Sequence, residues 1–246
     1  MDYEVELDDQ PGRGQHEESL TVRYPDGRSE TMRLHEYDRV YAIPGLYEEV
    51  VQNRLECLSP RVLADTLVAA CERAGDDVTA LRAFDLGAGN GVVGEEVAGR
   101  GVEVVVGSDT SGPGRDAAQR DRPGLYAEYF VGDIDDLPDP DGLVGEHRLN
   151  LLICAASLGM GHITAESFER LWAPFPAGSW FAVTLNEQLS GPGQSDFGDY
   201  LARLRGGAED TEIVADEPFR HRLTMAGEPI GYRAIVARKG LPKLAR

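Results

Sequence analysis

The chain is short of positive charge, short of cysteine and without any long apolar run. Its 246 residues carry 24 Lys and Arg against 43 Asp and Glu, a net charge of −19. Such a surface repels phosphate backbones and anionic bilayers, so nucleic acid and membrane are disfavoured as partners. A very soluble protein, or one adapted to a salty cytoplasm, is the plain reading of the charge. No apolar stretch approaches the roughly 20 residues of a membrane helix. The acidic, alternating start Met1-Asp2-Tyr3-Glu4-Val5 lacks the basic-then-apolar order of a signal peptide. Three cysteines, Cys57, Cys71 and Cys154, are an odd number without metal spacing and fit a reduced, cytoplasmic setting. HExxH, a CxxC pair and Gly-x-Ser-x-Gly are all missing, so metal hydrolysis and serine-nucleophile chemistry have no support. The acidic run at 133–141 fails as a calcium loop, because Leu137 and Arg148 stand where carboxylates are required. No metal is expected.

Hydrophobic residues make up 41% of the chain, enough for a sizeable core in one large α/β domain with a small appendage. Residues 84–94 read Phe-Asp-Leu-Gly-Ala-Gly-Asn-Gly-Val-Val-Gly. They sit between a buried-strand pattern at 78–84 and a helix continuing through 95–100. Alternating glycines allow a tight turn and close backbone approach, and a helix start presents free N–H groups to a ligand. Nucleotide-like cofactors are commonly held this way.

On the N-terminal side, alternation at 20–24, a turn at 25–28 and alternation at 31–34 predict a β-hairpin. Three uses are open to it: covering a ligand pocket, pairing with a second subunit as a homodimer, or decorating the fold. Residues 36–74 are helical in pattern, with a second helix opening at Ser59-Pro60 and an apolar stripe of Val62, Leu63, Leu67 and Ala70. Tyr37, Tyr41 and Tyr47 lie in the first part, as core or as ligand contacts. After residue 94, strand patterns at 102–109, 126–131, 149–155 and 178–185 alternate with helical ones at 113–122 and 165–172. That rhythm argues for a mostly parallel sheet with helices on both faces. After a helix at 197–205, the extended stretches at 211–215, 219–223 and 230–238 break it. A strand pair joined by a short turn must be antiparallel.

In open α/β sheets the ligand lies beyond the carboxyl ends of the strands. Those ends hold Asp85 to Gly91, Asp109 with Thr110 and Ser111, Asp133 with Ile134, Ala155 to His162, and Asn186 with Glu187. Asp85-Leu86-Gly87-Ala88-Gly89-Asn90-Gly91 resembles the first motif of class I S-adenosylmethionine-dependent methyltransferases, an acid followed by Gly-x-Gly-x-Gly. Asp109 and Asp133 follow at even spacing, where that family keeps acids for the ribose hydroxyls and the adenine amino group. The resemblance covers roughly 46–239. It implies a Rossmann-like three-layer sandwich, with a seven-stranded, mostly parallel sheet ending in an antiparallel hairpin. It divides the chain into an N-terminal extension, 1–45, and a methyltransferase domain, 46–246.

The roles implied are as follows. S-adenosyl-L-methionine is the cofactor and a small molecule the acceptor. Gly87, Ala88, Gly89 and Gly91 let the backbone approach the methionine portion, and Asp85 binds its ammonium group. Asp109, with Thr110 and Ser111, holds the ribose. Asp133 holds the adenine amino group, and Ile134 and Leu158 pack on the ring. Ala155 and Tyr47 complete the cofactor contacts. His162 and Glu187 are the catalytic candidates, as a base that takes a proton from the acceptor, with Tyr41 and Tyr47 behind them. The Ala155-Ala156-Ser157-Leu158 strand end departs from amino-directed DNA enzymes. Two other readings compete: a sensor or partner subunit that binds the cofactor without turnover, and a nicotinamide-dependent oxidoreductase, since Gly89-Asn90-Gly91-Val92-Val93-Gly94 also fits Gly-x-Gly-x-x-Gly.

Overall fold

The computed structural model describes residues 3–10, 12, 14–159, 163–207 and 210–240. A seven-stranded sheet is built from β4 (Arg82–Leu86), β5 (Glu103–Asp109), β6 (Glu128–Val131), β7 (Leu151–Ala155), β8 (Trp180–Asn186), β9 (Thr211–Leu223) and β10 (Pro229–Lys239). Their spatial order is β6-β5-β4-β7-β8-β10-β9. The first five are parallel, and β10 runs antiparallel to both β8 and β9. β7 and β8 are buried almost throughout, as strands covered on both faces must be. One face carries a core of Phe84, Leu152, Phe168, Phe181 and Phe197, covered by α5 (Pro140–His147), α6 (Ala165–Trp172) and α7 (Asp196–Arg205). The other packs Ala83, Val104, Leu151 and Ile153 against Leu63 and Leu67 of α2 (Ser59–Ala74) and Val97 of α3 (Val92–Ala98). Strand order reverses between β4 and β7, which places the switch point of the sheet at the carboxyl end of these two strands.

Three local expectations are corrected. The strand pattern at 78–84 begins as a 3-10 turn, Val78–Ala80, and the strand starts only at Arg82. The Asp77 carboxylate accepts from the Thr79 N–H at 2.9 Å, a side-chain bond that competes with a strand ladder. The acidic stretch at 133–141 holds the start of α5, which was not expected. Asp139 accepts from the Gly142 N–H at 2.9 Å and Pro140 occupies the first turn. The two extended stretches near 211–223 are one strand that tolerates Pro218 because β9 lies at the sheet edge.

The N-terminal hairpin gains a third strand. β1 (Glu4–Leu7), β2 (Ser19–Arg23) and β3 (Ser29–Arg33) form a separate antiparallel sheet. Its apolar face joins α1 (Tyr37–Ala42) and a π-helix at Glu48–Arg54 in a third cluster, which includes Val22, Met32, Val40, Leu46, Val50 and Leu55. A boundary at residue 46 cuts through this cluster, whose residues depend on one another for burial from Val5 to Leu55.

β9 and β10 extend well past the parallel strands and hold this N-terminal unit over the sheet. The Leu58 N–H donates to the His221 carbonyl at 2.7 Å, and the Leu223 N–H to the Leu55 carbonyl at 2.8 Å. Met225, in the turn between β9 and β10, joins the N-terminal core. On the opposite side α1 packs on α4 (Gly112–Asp121), and the Ser111 hydroxyl donates to Asp38 at 2.6 Å. The unit is thus a roof pinned at two ends. Among the described residues no helix is long and apolar enough to cross a membrane.

Candidate functional site

A cavity of about 420 Å³ lies between the carboxyl edge of the sheet and the roof. At its β4–β6 end the floor is the glycine loop. Gly87, Gly89 and Gly91 all have positive φ, which turns the chain sharply from β4 into α3. The Gly87 and Ala88 N–H groups donate to the Ser108 carbonyl at 2.8 and 2.9 Å. Gly89 N–H donates to Asp109 Oδ2 at 2.9 Å, and Gly91 N–H to the Ala88 carbonyl at 2.8 Å. These four amides are therefore occupied, three of them by acceptors at the end of β5.

Asp85 does not line the cavity. It is buried beneath the loop, where it accepts from the Tyr126 hydroxyl at 2.7 Å and from the Gly94 N–H at the start of α3. Burial pushes its carboxyl up to about 7, against the lowering effect of those two bonds. Among the described residues its Oδ1 has no partner. Gly89, Gly91 and Ser111 likewise stand behind the wall. Gly89 is packed by the Tyr41 ring, and the Ser111 hydroxyl caps α4 by accepting from the Gly114 N–H at 2.9 Å.

The other cofactor candidates are brought together. Gly87, Ala88, Asp109, Thr110, Asp133, Ile134, Ala155, Leu158 and Tyr47 all line the cavity. Asp109 receives the Gly89 and Ser111 N–H groups, one on each oxygen, and each oxygen keeps a further lone pair. Burial still raises its carboxyl above the ordinary value. Asp133 is exposed at the rim with one oxygen turned to the Asp135 N–H. Among the described residues the Ser108 hydroxyl, buried in the same wall, has no partner and is a polar group that a bound molecule would satisfy.

Glu187 is exposed beyond β8, about 4.0 Å from Arg233 and outside the cavity. His162 lies outside the described residues.

The roof contributes a continuous run of rings. His16 to His35, His35 to Tyr37, Tyr37 to Tyr41 and Tyr41 to Tyr47 have centroids 5.1, 5.6, 5.9 and 5.1 Å apart, and all five line the cavity. Burial raises the Tyr37 phenol to about 12 and those of Tyr41 and Tyr47 well above their ordinary value, so all three stay protonated. The opposite end of the cavity is formed by β8, β9 and β10. There His221 stacks on Tyr232 at 4.1 Å, and its Nδ1 lies 2.6 Å from the Ser59 hydroxyl. Asn186, at a strand end read as ligand-facing, lines this part, whereas sequence reasoning missed His221, Ser59 and Tyr232. They come from three separate parts of the chain, and nothing in the extended pattern around His221 distinguishes a cavity face from a core face.

The strand order, the terminal antiparallel hairpin and the location of the cavity together define the architecture. This is the class I methyltransferase fold. Among solved structures, magnesium protoporphyrin IX methyltransferase from Synechocystis, determined with S-adenosylhomocysteine bound, aligns at a TM-score of 0.53 and 16% identity, over 84% of this chain and 94% of its own. An S-adenosylmethionine-dependent methyltransferase from Anabaena variabilis aligns at 0.50 and 12% identity, over 85% and 96%. A candidate RNA methyltransferase from Pyrococcus horikoshii aligns at 0.51 and 14%, over 74% and 83%. At these identities the likeness concerns the fold. No protein-family model and no curated protein matches the chain.

Proposed function

We propose that this protein is an S-adenosylmethionine-dependent methyltransferase acting on a small-molecule acceptor. The observation that carries the reading is the convergence of Asp109, Asp133, Ile134 and Leu158 with the glycine loop on one roofed cavity at the switch point of the sheet. The methyltransferase neighbours supply independent support, one of them having been solved with the demethylated cofactor.

When bound, the cofactor supplies an activated methyl group on a sulfonium. The chain's own part is to hold and orient. Asp109 accepts from the two ribose hydroxyls while its N–H partners keep it from swinging away. Asp133 accepts from the adenine amino group at the rim, and Ile134 and Leu158 flank the ring. Gly87, Ala88 and Ala155 border the methionine end, and the unpartnered Ser108 hydroxyl offers that end a hydrogen bond. Asp85 acts from below: it ties the start of α3 to Tyr126 and so sets the loop. Fixing donor and acceptor in contact under a cover that excludes water is worth several orders of magnitude in a displacement at carbon.

A small acceptor is favoured over RNA by the aromatic roof over the cavity and by the net charge of −19, which opposes polyanions. Calorimetry with S-adenosylmethionine and S-adenosylhomocysteine tests the reading. Both should bind with one site per chain, and no heat at high protein concentration would refute it.

A further inference from the structure

Two ends of the cavity differ in chemistry. By sheet order, Asp109 at the tip of β5 and Tyr232 on β10 are four strand spacings apart, roughly 19 Å along the edge. The β5 end carries the carboxylates. The β10 end holds His221, Ser59, Tyr232, Asn186, Gln52 and Cys57. Its one formal charge, Arg222, is buried and spent on Glu18, which it meets at 2.6 Å. That end is therefore neutral, walled by ring faces and supplied with a few hydrogen-bonding heads, a chemistry suited to an uncharged planar molecule.

Resting on the methyltransferase reading above, we propose that the β8–β10 end of the cavity is the acceptor pocket for a phenol or enol, and that His221 Nε2 takes the hydroxyl proton. Ser59 is the positioning residue. Its Oγ lies 2.6 Å from Nδ1; in the proposed state it accepts the Nδ1–H, which leaves the lone pair on Nε2. Among the described residues no hydrogen bond reaches Nε2, and that atom is not among the fully buried ones. The ring is held flat against Tyr232 with an interplanar angle of 13°. The acceptor oxygen bonds to the methyl carbon as the carbon–sulfur bond breaks, its electron pair staying on sulfur. The hydroxyl proton passes to Nε2, and the imidazolium returns it to water when product leaves. Burial, reinforced by Arg222 beside it on β9, keeps the imidazole neutral, its pKa pushed down to about 3. Cys57 from the segment before α2 and Tyr232 from β10 complete its titratable surroundings. A weak base suffices, because a hydroxyl becomes strongly acidic as its oxygen is alkylated.

The test uses the full chain, with 4-nitrophenol as probe because its phenolate absorbs visibly. The wild type saturated with S-adenosylhomocysteine should bind the probe as the neutral phenol, its hydroxyl donating to Nε2, and so lower its ionised fraction at a given pH. His221→Phe, which keeps the stack on Tyr232, should bind the probe about tenfold more weakly and, at the same probe concentration, lower its ionised fraction much less. Its S-adenosylhomocysteine affinity should be unchanged. In 15N spectra of the wild type, the histidine signal absent from His221→Phe should report the Nδ1–H tautomer, and Ser59→Ala should lose that preference. Equal probe ionisation in wild type and His221→Phe, or a wild-type Nε2–H tautomer, would overturn the proposal even if the variants are unstable. No probe binding with S-adenosylhomocysteine bound would overturn the acceptor pocket alone. Failure to bind S-adenosylhomocysteine would remove the methyltransferase reading and this proposal together.

Discussion

Glu18 and Arg222 are 204 positions apart in sequence and 2.6 Å apart in the fold, both almost fully buried. Glu18 Oε1 also accepts from the Met225 N–H at 2.8 Å, and Arg222 donates to the Leu223 carbonyl at 2.8 Å. The pair joins the N-terminal roof to the end of β9 at the point where both border the cavity. Removing one member strands a charge in a region without water, which costs about 3–5 kcal/mol, while replacing both with apolar side chains of similar size is far milder. Urea denaturation should show Glu18→Leu and Arg222→Met each strongly destabilised and the double variant partly recovered. Additive losses would mean that the two charges act separately.

Asp85 sets a pH dependence of stability. Its carboxyl has a pKa of about 7 in the fold and 3.8 as the reference for the unfolded chain, so the folded state holds the proton more tightly. The associated stability is fully present below about pH 4 and is lost as pH rises through 7. Asp85→Asn keeps an oxygen for the Tyr126 hydroxyl and the Gly94 N–H without ever bearing charge. At pH 8 it should be more stable than wild type by on the order of 1–4 kcal/mol. The gap should close towards pH 4. A gap independent of pH would show that Asp85 is not the group titrating.

Asp109 is expected to carry cofactor affinity. Losing hydrogen bonds to a charged group costs about 1–3 kcal/mol, so Asp109→Ala should weaken S-adenosylhomocysteine binding by roughly 5- to 150-fold in calorimetry. Asp109→Asn, which can still accept from one of the Gly89 and Ser111 N–H groups, should lose less. Unchanged affinity in both would place the ribose elsewhere.

Gly89 has φ +52, and a Cβ there would run into the Tyr41 hydroxyl. Gly89→Ala should displace Tyr41, open the ring wall and lower cofactor affinity. Adding Tyr41→Phe, which removes the clashing oxygen, should restore part of the loss. If the double variant binds no better than Gly89→Ala, backbone strain at residue 89 rather than the clash is the cause.

Much of this protein is legible in its sequence, for reasons local to each element. Leu151-Leu152-Ile153-Cys154 is apolar at every position because β7 is covered on both faces, and α6 is bounded by the Thr164 cap that accepts from the Ser167 N–H at 3.1 Å. The glycines of the 84–94 loop and the acids at the ends of β5 and β6 lie on a path that parallel strand order forces towards one edge. The first of those features was overread in one respect. The pattern directs Asp85 and the start of α3 towards a ligand, but only packing shows that Asp85 accepts the Gly94 N–H beneath the loop. Tertiary structure alone decided the opposite end of the cavity. His221, Ser59 and Tyr232 meet because β9 and β10 outrun the sheet and carry their tips to the N-terminal unit. Alternation along an extended strand tells which side chains share a face, but it does not tell whether that face meets a core or a cavity. The long hairpin and the buried Glu18–Arg222 pair decide that, and both depend on contacts between residues far apart in the chain.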